Sequence, residues 1–178
     1  VEGRALVKKG GKWGYIDTVG NEIIPCQYHE AANFSEGRAM VRKGGWFDKE
    51  RWCYIDMDGR EISHWYYYEA MDFSEVRALV KRDEKWGYID ADGNEIIPCQ
   101  YTDANSYVDG LAIVRKDSKW GCIDANGCEV IPYRYDNVKN FSEGLARVSR
   151  GGKWGYVDNT GCEVITCQYD VSGDFYKG

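Results

Sequence analysis

Apolar and polar residues alternate along this chain in short runs, and no segment keeps a helical period over the ten or so residues a helix needs. The run RALVKK (residues 4–9) alternates as a strand with one buried face does. KWGYID (12–17) is aromatic and β-branched, and Gly10-Gly11 between the two runs is a hairpin signal. NEIIP (21–25) follows a four-residue stretch ending in Gly20. Pro25 is expected to end this third strand or hold it at a sheet edge. The pattern predicts a three-stranded meander followed by an irregular return through YHEAANFSEG (28–37).

The pattern recurs five times. Trp13, Trp52, Trp86, Trp120 and Trp154 are spaced 39, 34, 34 and 34 residues apart, the long interval coming from extra residues in GGWFDKERW (44–52). With that insertion set aside, Ala5, Ala39, Ala78, Ala112 and Ala146 share one column, and Val7, Val41, Val80, Val114 and Val148 another. Asp17, Asp56, Asp90, Asp124 and Asp158 precede Gly20, Gly59, Gly93, Gly127 and Gly161, and Glu22, Glu61, Glu95, Glu129 and Glu163 follow. Tyr28, Tyr67, Tyr101, Tyr135 and Tyr169 close the unit, with Phe34, Phe73, Tyr107, Phe141 and Phe175 beyond them.

The whole chain, 1–178, therefore reads as one array, with units of approximately 1–34, 35–73, 74–107, 108–141 and 142–175. A lone meander cannot bury its apolar face, so such units are expected to stack. Three strands in about 34 residues is lean for a propeller blade, which generally takes four. The expected fold is all-β: five β-meander or hairpin units stacked as an open, twisted array. A closed, propeller-like ring of five units is the alternative, which the in-frame ends leave open.

These columns resemble the bacterial WG (or KWG) repeat family. The matching residues are the KWGYID cores starting at Lys12 and Lys85, KWGYVD at Lys153, the GxEII or GxEVI segments, and the FSEGxAxV stretches at Phe34 and Phe141. The resemblance covers essentially the whole chain. It implies a β-rich repeat, often found in multidomain bacterial proteins; it implies no enzyme activity and supplies no catalytic residue. Copy two departs most, with RWCYID carrying Cys53 for glycine, and EISHWYYYEA (61–70) in place of EIIPCQYHEA (22–31).

Candidate chemistry is weighed against that framework. Asp17 and Glu22 with their counterparts resemble a calcium loop where the chain reads DMDG (56–59) or DADG (90–93), but DTVG and DNTG in other copies lack the converging oxygens calcium needs. Aspartate bonding its own turn backbone is the favoured account. Glycoside hydrolysis needs one acid and one base of different character in a cleft, whereas five equivalent carboxylate pairs on five turns lack that asymmetry. No catalytic, metal or cofactor residue is assigned. The tryptophan column is read as packing rings, with sugar-stacking platforms the alternative. Repetition does not account for Trp46 and Phe47 in the insertion, nor for Trp65 and Tyr66 in copy two; these are the candidate ligand-binding residues.

Composition narrows the partners. A net charge of −6 and a pI near 5.0 argue against nucleic acid or an anionic membrane surface. No apolar run approaches the roughly 20 residues that span a bilayer. The chain opens on Val1 without a basic-then-apolar leader, which reads as a processed piece and leaves the compartment open. Seven cysteines without a Cys-x-x-Cys pair point to reduced, packed thiols and favour a reducing or anaerobic setting. Cys128 and Cys162 share a column in adjacent copies and are the pair expected nearest to disulfide distance.

In every copy the first turn carries net positive charge and the second net negative charge, so parallel stacking predicts one basic and one acidic rim that could steer self-association. The function expected is a non-enzymatic binding or scaffold module for protein contacts. A carbohydrate or cell-envelope binding module using Trp46, Trp65 and Tyr66 is the alternative.

Overall fold

A computed structural model of the chain describes residues 2–44, 51–63 and 66–175. Among them there is no helix, and the strands form five separate antiparallel sheets, none closed on itself. All-β repeats, each a three- or four-stranded antiparallel meander, are thus the observed architecture. The chain divides into two compact units, Val1–Cys99 and Gln100–Gly178.

The first sheet contains β1 (Ala5–Lys9), β2 (Lys12–Ile16) and β3 (Glu22–Tyr28). The second contains β4 (Glu30–Ala31), β5 (Arg38–Lys43) and β6 (Arg51–Asp56), and the third β7 (Glu69–Ala70), β8 (Arg77–Arg82), β9 (Lys85–Asp90) and β10 (Glu95–Tyr101). The fourth holds β11 (Asp103–Ala104), β12 (Ala112–Lys116), β13 (Lys119–Ile123) and β14 (Glu129–Tyr135). The fifth holds β15 (Asn137–Ser142), β16 (Leu145–Arg150), β17 (Lys153–Asp158) and β18 (Glu163–Tyr169).

This corrects the sequence reading in one respect. The return is not wholly irregular, because it carries a short strand that joins the sheet of the following repeat. Glu30 and Ala31 pair with Arg42 and Val41, Glu69 and Ala70 with Lys81 and Val80, and Asn137 and Val138 with Ser149 and Val148. The two-residue strands β4, β7 and β11 show no periodicity, so alternation could not reveal them. The return is also tied to its own repeat. The hydroxyls of Tyr15, Tyr54 and Tyr156 donate to the carbonyls of Ala32, Met71 and Gly173 at 2.6–2.7 Å.

The cores lie between consecutive sheets. In the first unit, Tyr15, Ile24, Tyr28 and Phe34 pack against Ala39, Val41, Cys53 and Ile55 of the next repeat. Tyr54, Tyr67 and Phe73 then meet Ala78, Val80 and Ile89. In the second unit, Ile131, Tyr135 and Val138 pack on Ala146, Val148 and Val157. Tyr28, Tyr67 and Tyr135 thus each pack on the Ala-x-Val strand that follows. Truncating such a ring to alanine costs about 3–5 kcal/mol by the usual scale for buried aromatics.

The third strand does not end at its proline. β3 runs on to Tyr28, and a register shift between the pairs Tyr15–Ile24 and Trp13–Tyr28 absorbs Pro25 and Cys26 as a bulge. The proline expectation holds only in that β3 is an edge strand. The bulge crosses directly over the glycine of the Trp-Gly pair. A Cβ on Gly14 would lie 2.6–2.8 Å from the backbone of Ile24 and Cys26, and on Gly87 at the same distances from Ile97 and Cys99. Only a residue without a side chain admits that approach.

The FSEG motif proves to be a staple between repeats. Ser35 Oγ donates to the Phe73 carbonyl at 3.0 Å, and Ser142 Oγ to that of Phe175 at 2.8 Å. The Glu36 carboxylate accepts from the backbone N–H groups of Glu75 and Val76 at 3.0 and 2.8 Å, and Glu2 accepts from Gly37 at 2.8 Å. Such charge-assisted bonds favour an N–H nest made by two successive residues at positive φ. Val76 occupies that turn at φ 56, where the turns before β5, β12 and β16 place Gly37, Gly110 and Gly144. A β-branched residue is strained there by about 1–2 kcal/mol.

Two outcomes follow from this architecture. Val76→Gly is expected to raise unfolding free energy by about 1 kcal/mol or more, read as a higher urea midpoint, whereas Gly87→Ala is expected to lower it by about 1–3 kcal/mol. Burial also pushes the Cys53 and Cys122 thiols and the Tyr67 phenol up to about 12. These groups bind protons more tightly folded than unfolded. Their contribution is complete below the unfolded thiol value of 9.0 and is lost as pH rises toward 12. The urea midpoint should therefore fall steadily from about pH 9 to about pH 11.

Candidate functional site

The second repeat is where the chain departs from its own pattern, and the departures are structurally one event. Cys53 stands where other copies have the bulge-covered glycine, and its side chain is fully buried. The bulged third strand is absent among the described residues there. Its ends keep the repeat register, since Ile55 bridges Glu61 and Trp52 bridges Tyr67. Between them, the Ile62 N–H donates to the Tyr54 carbonyl at 3.0 Å, and the Tyr54 N–H is satisfied by the buried Ser63 hydroxyl at 3.0 Å. Cys53 brings a buried side chain to the column where Gly14 and Gly87 leave no room for one, and the Ser63 hydroxyl is the acceptor for the Tyr54 N–H.

The result is an outward-facing aromatic surface. Tyr66 occupies the column of Gln27, Gln100 and Gln168, and Tyr68 that of His29 and Thr102. Tyr66 is 46% exposed and Tyr68 37%, and Met71 beside them is 41% exposed. The Arg51 guanidinium lies 4.7 Å over the Tyr68 ring, and its Nη2 donates to the Tyr68 hydroxyl at 3.2 Å. Lys43 Nζ donates to Glu61 at 2.7 Å. A hydrogen bond with the same carboxylate raises the Tyr66 phenol above its ordinary value. The surface thus combines aromatic faces with a guanidinium and a lysine–glutamate pair. Trp46, Phe47 and Trp65, assigned with Tyr66 as ligand candidates, lie outside the described residues.

The tryptophan column behaves differently. Trp13, Trp52, Trp120 and Trp154 are half-buried and Trp86 buried. Lys8, Arg42, Lys81, Arg115 and Arg147 each stack on one of these rings at 5.1–5.9 Å. A ring whose face carries a cation is a poor free platform for a sugar.

The carboxylates of the second turns are turn-builders. Asp17, Asp56, Asp90, Asp124 and Asp158 each accept from the N–H groups two and four residues on, at 2.8–3.0 Å. These bonds hold the Asp17 and Asp158 carboxyls below their ordinary range, led by the side-chain bonds from Asn21 and Thr160. The basic turns are not bare either. Lys43 pairs with Glu61, Arg82 with Glu95 and Arg150 with Glu163, while Lys119 and Lys153 pair with Asp136 and Asp170. Cys128 and Cys162 are free and exposed rather than bridged, each holding the position after a turn glycine and giving its N–H to the turn aspartate.

The second unit also contains a polar cleft of about 550 Å³ that the sequence reading did not single out. Asn105, Asn137, Lys139 and Asn140 line it beside the ion pair of Arg147 with Asp174, which closes at 2.7 Å. The signal available in the sequence was Asn137, in a column where the first three repeats carry Glu30, Glu69 and Asp103.

The WG containing repeat model matches residues 1–13, 13–45, 52–86, 86–120, 120–154 and 154–178, advancing from tryptophan to tryptophan. Among curated proteins nothing matches the chain. Among solved structures, KlHsv2 with loop 6CD replaced by a Gly-Ser linker is similar at a TM-score of 0.52 and 10% identity, over 92% of this chain and 61% of that one. At that identity the likeness concerns the fold alone. The family is that of a repeat module rather than an enzyme. Motif columns, sheets in the same period and matches along nearly the full length agree, and the chain belongs to the WG containing repeat family.

Proposed function

We propose that this chain is a non-enzymatic scaffold module that binds a protein partner through the second repeat. The observation that carries this is the outward surface of Tyr66, Tyr68 and Arg51, where the other repeats place Gln or Arg, His, Thr or Asp, and Lys respectively. Tyrosine and arginine dominate binding hot spots because they bury large area at small entropic cost. Arg51 is already oriented on Tyr68, so little freedom remains to be lost on docking. The turn aspartates accept backbone N–H groups, and Glu61 and Glu95 pair with Lys43 and Arg82, which favours a structural role for these repeated carboxylates.

The test is affinity capture with the wild type and with a triple variant, Arg51→Ala, Tyr66→Ala and Tyr68→Ala, matched for thermal midpoint. A protein retained by the wild type and depleted at least about tenfold with the variant supports the reading, as loss of 1.4 kcal/mol or more requires. Equal retention by both, or wild-type binding on a glycan array that the same variant abolishes, overturns it in favour of no site here or of a carbohydrate ligand.

A further inference from the structure

The return of the fourth repeat departs from the others, and the departure is matched across the sheet. Elsewhere the return strand opens on an acid that faces a base: Glu30 pairs with Arg42, Glu69 with Lys81 at 2.6 Å, and Asp103 lies opposite Arg115. In the fifth sheet those two positions hold Asn137 and Ser149, opposite each other and both uncharged. The base has moved two residues earlier in β16. Arg147 stands where Leu6, Met40, Leu79 and Ile113 stand in the other repeats. Its guanidinium lies 5.7 Å from the Trp154 ring, a place that Lys8, Arg42, Lys81 and Arg115 fill in their own repeats. A cross-strand ion pair has thus been withdrawn from this sheet.

The cleft of about 550 Å³ opens at this return, a volume within the range of small-molecule sites. Asn137, Lys139 and Asn140 line it, and among the described residues their side chains have no hydrogen-bond or ion-pair partner. Two amides and one ammonium are therefore unspent in one cleft, while Arg147 and Asp174 on its border satisfy each other. An amide donates and accepts at once, as the neighbouring hydroxyls of a sugar do, and an ammonium matches a carboxylate. The Trp120 ring already carries Arg115, so recognition here rests on hydrogen bonds rather than stacking. A peptide strand suits the place less well. A register shift between Val138 and Phe141 interrupts β15 and Lys139 charges it, two devices that keep an edge strand from pairing.

We propose that this cleft binds a hexuronate, a sugar carrying one carboxylate. Asn137 and Asn140 bond its hydroxyls, and Lys139 pairs with its carboxylate. The site is separate from the aromatic surface of the second repeat and shares no residue with it. An acid at position 137, as in the first three returns, would repel the ligand's carboxylate and compete for Lys139, so the exchange of Glu or Asp for Asn is what opens the site to an acidic sugar.

Titration of the full chain with glucuronate, galacturonate, glucose and acetate, followed by amide NMR shifts, tests this. At least one hexuronate is expected to bind, glucose about two- to fivefold more weakly for want of the Lys139 contact, and acetate not measurably. Lys139→Gln should lower hexuronate affinity to that of glucose and leave glucose unchanged. Asn137→Glu should weaken the hexuronate at least about tenfold, with circular dichroism and thermal midpoint showing the fold retained. The triple variant at Arg51, Tyr66 and Tyr68 should bind the hexuronate as the wild type does, which keeps this site distinct from the second repeat. Absence of binding by either hexuronate up to about 20 mM overturns the proposal. So does acetate binding as tightly as a hexuronate, wild-type affinity in Asn137→Glu or Lys139→Gln, or loss of binding in the triple variant. A glutamate-rich peptide that binds more tightly than either sugar and is lost in Asn137→Glu overturns it in favour of a peptide ligand.

Discussion

A three-stranded meander has an apolar face it cannot bury and an edge it cannot pair, and this chain answers both needs with the neighbouring repeat. The closing tyrosine covers the next Ala-x-Val strand while the return segment adds to that strand's open edge. Burial and hydrogen bonding therefore act at the same junction. The spacing of the columns follows: a repeat must be long enough for its return to reach the following sheet, and the FSEG staple fixes where it arrives.

The Trp-Gly pair marks the tightest point within each repeat. Tryptophan anchors the second strand under a stacked cation, and glycine lets the bulged third strand fold across it. Cys53 shows what happens when that permission is withdrawn. Among the described residues the third strand keeps only two isolated bridges, Ser63 takes over one hydrogen bond, and Tyr66 and Tyr68 face solvent. Two substitutions that look unrelated in the sequence, at Cys53 and across 61–70, are compensating parts of a single rearrangement. Divergence of one copy is confined in its direct contacts to the repeats on either side, since each repeat contacts only its neighbours.

The strands with strong alternation were legible, as were the turns that glycine or aspartate pairs dictate, because both signals are local. Glu36, Ser35 and the two-residue strand Glu30–Ala31 were not, since their partners lie in another repeat and their own stretch has no period. The bulge at Pro25 was half legible: proline announces trouble for a ladder but not whether the strand stops or detours. Of the candidate site, Tyr66 could be found by asking which aromatic breaks its column. Tyr68 and Arg51 required the structure, because their pairing depends on how the second repeat's hairpin and return come together.

The return segment belongs to two repeats at once. Its backbone pairs with the following sheet, while a tyrosine hydroxyl and an aromatic contact such as Tyr15 with Phe34 bind it to its own. No boundary can be drawn through the array that leaves both sides whole. In the language of linear lattices, such sharing makes the coupling between neighbours large relative to the stability of any one of them. Within each compact unit neighbouring repeats are consequently expected to melt together, because a return lost from one repeat also leaves the next sheet without its outer strand.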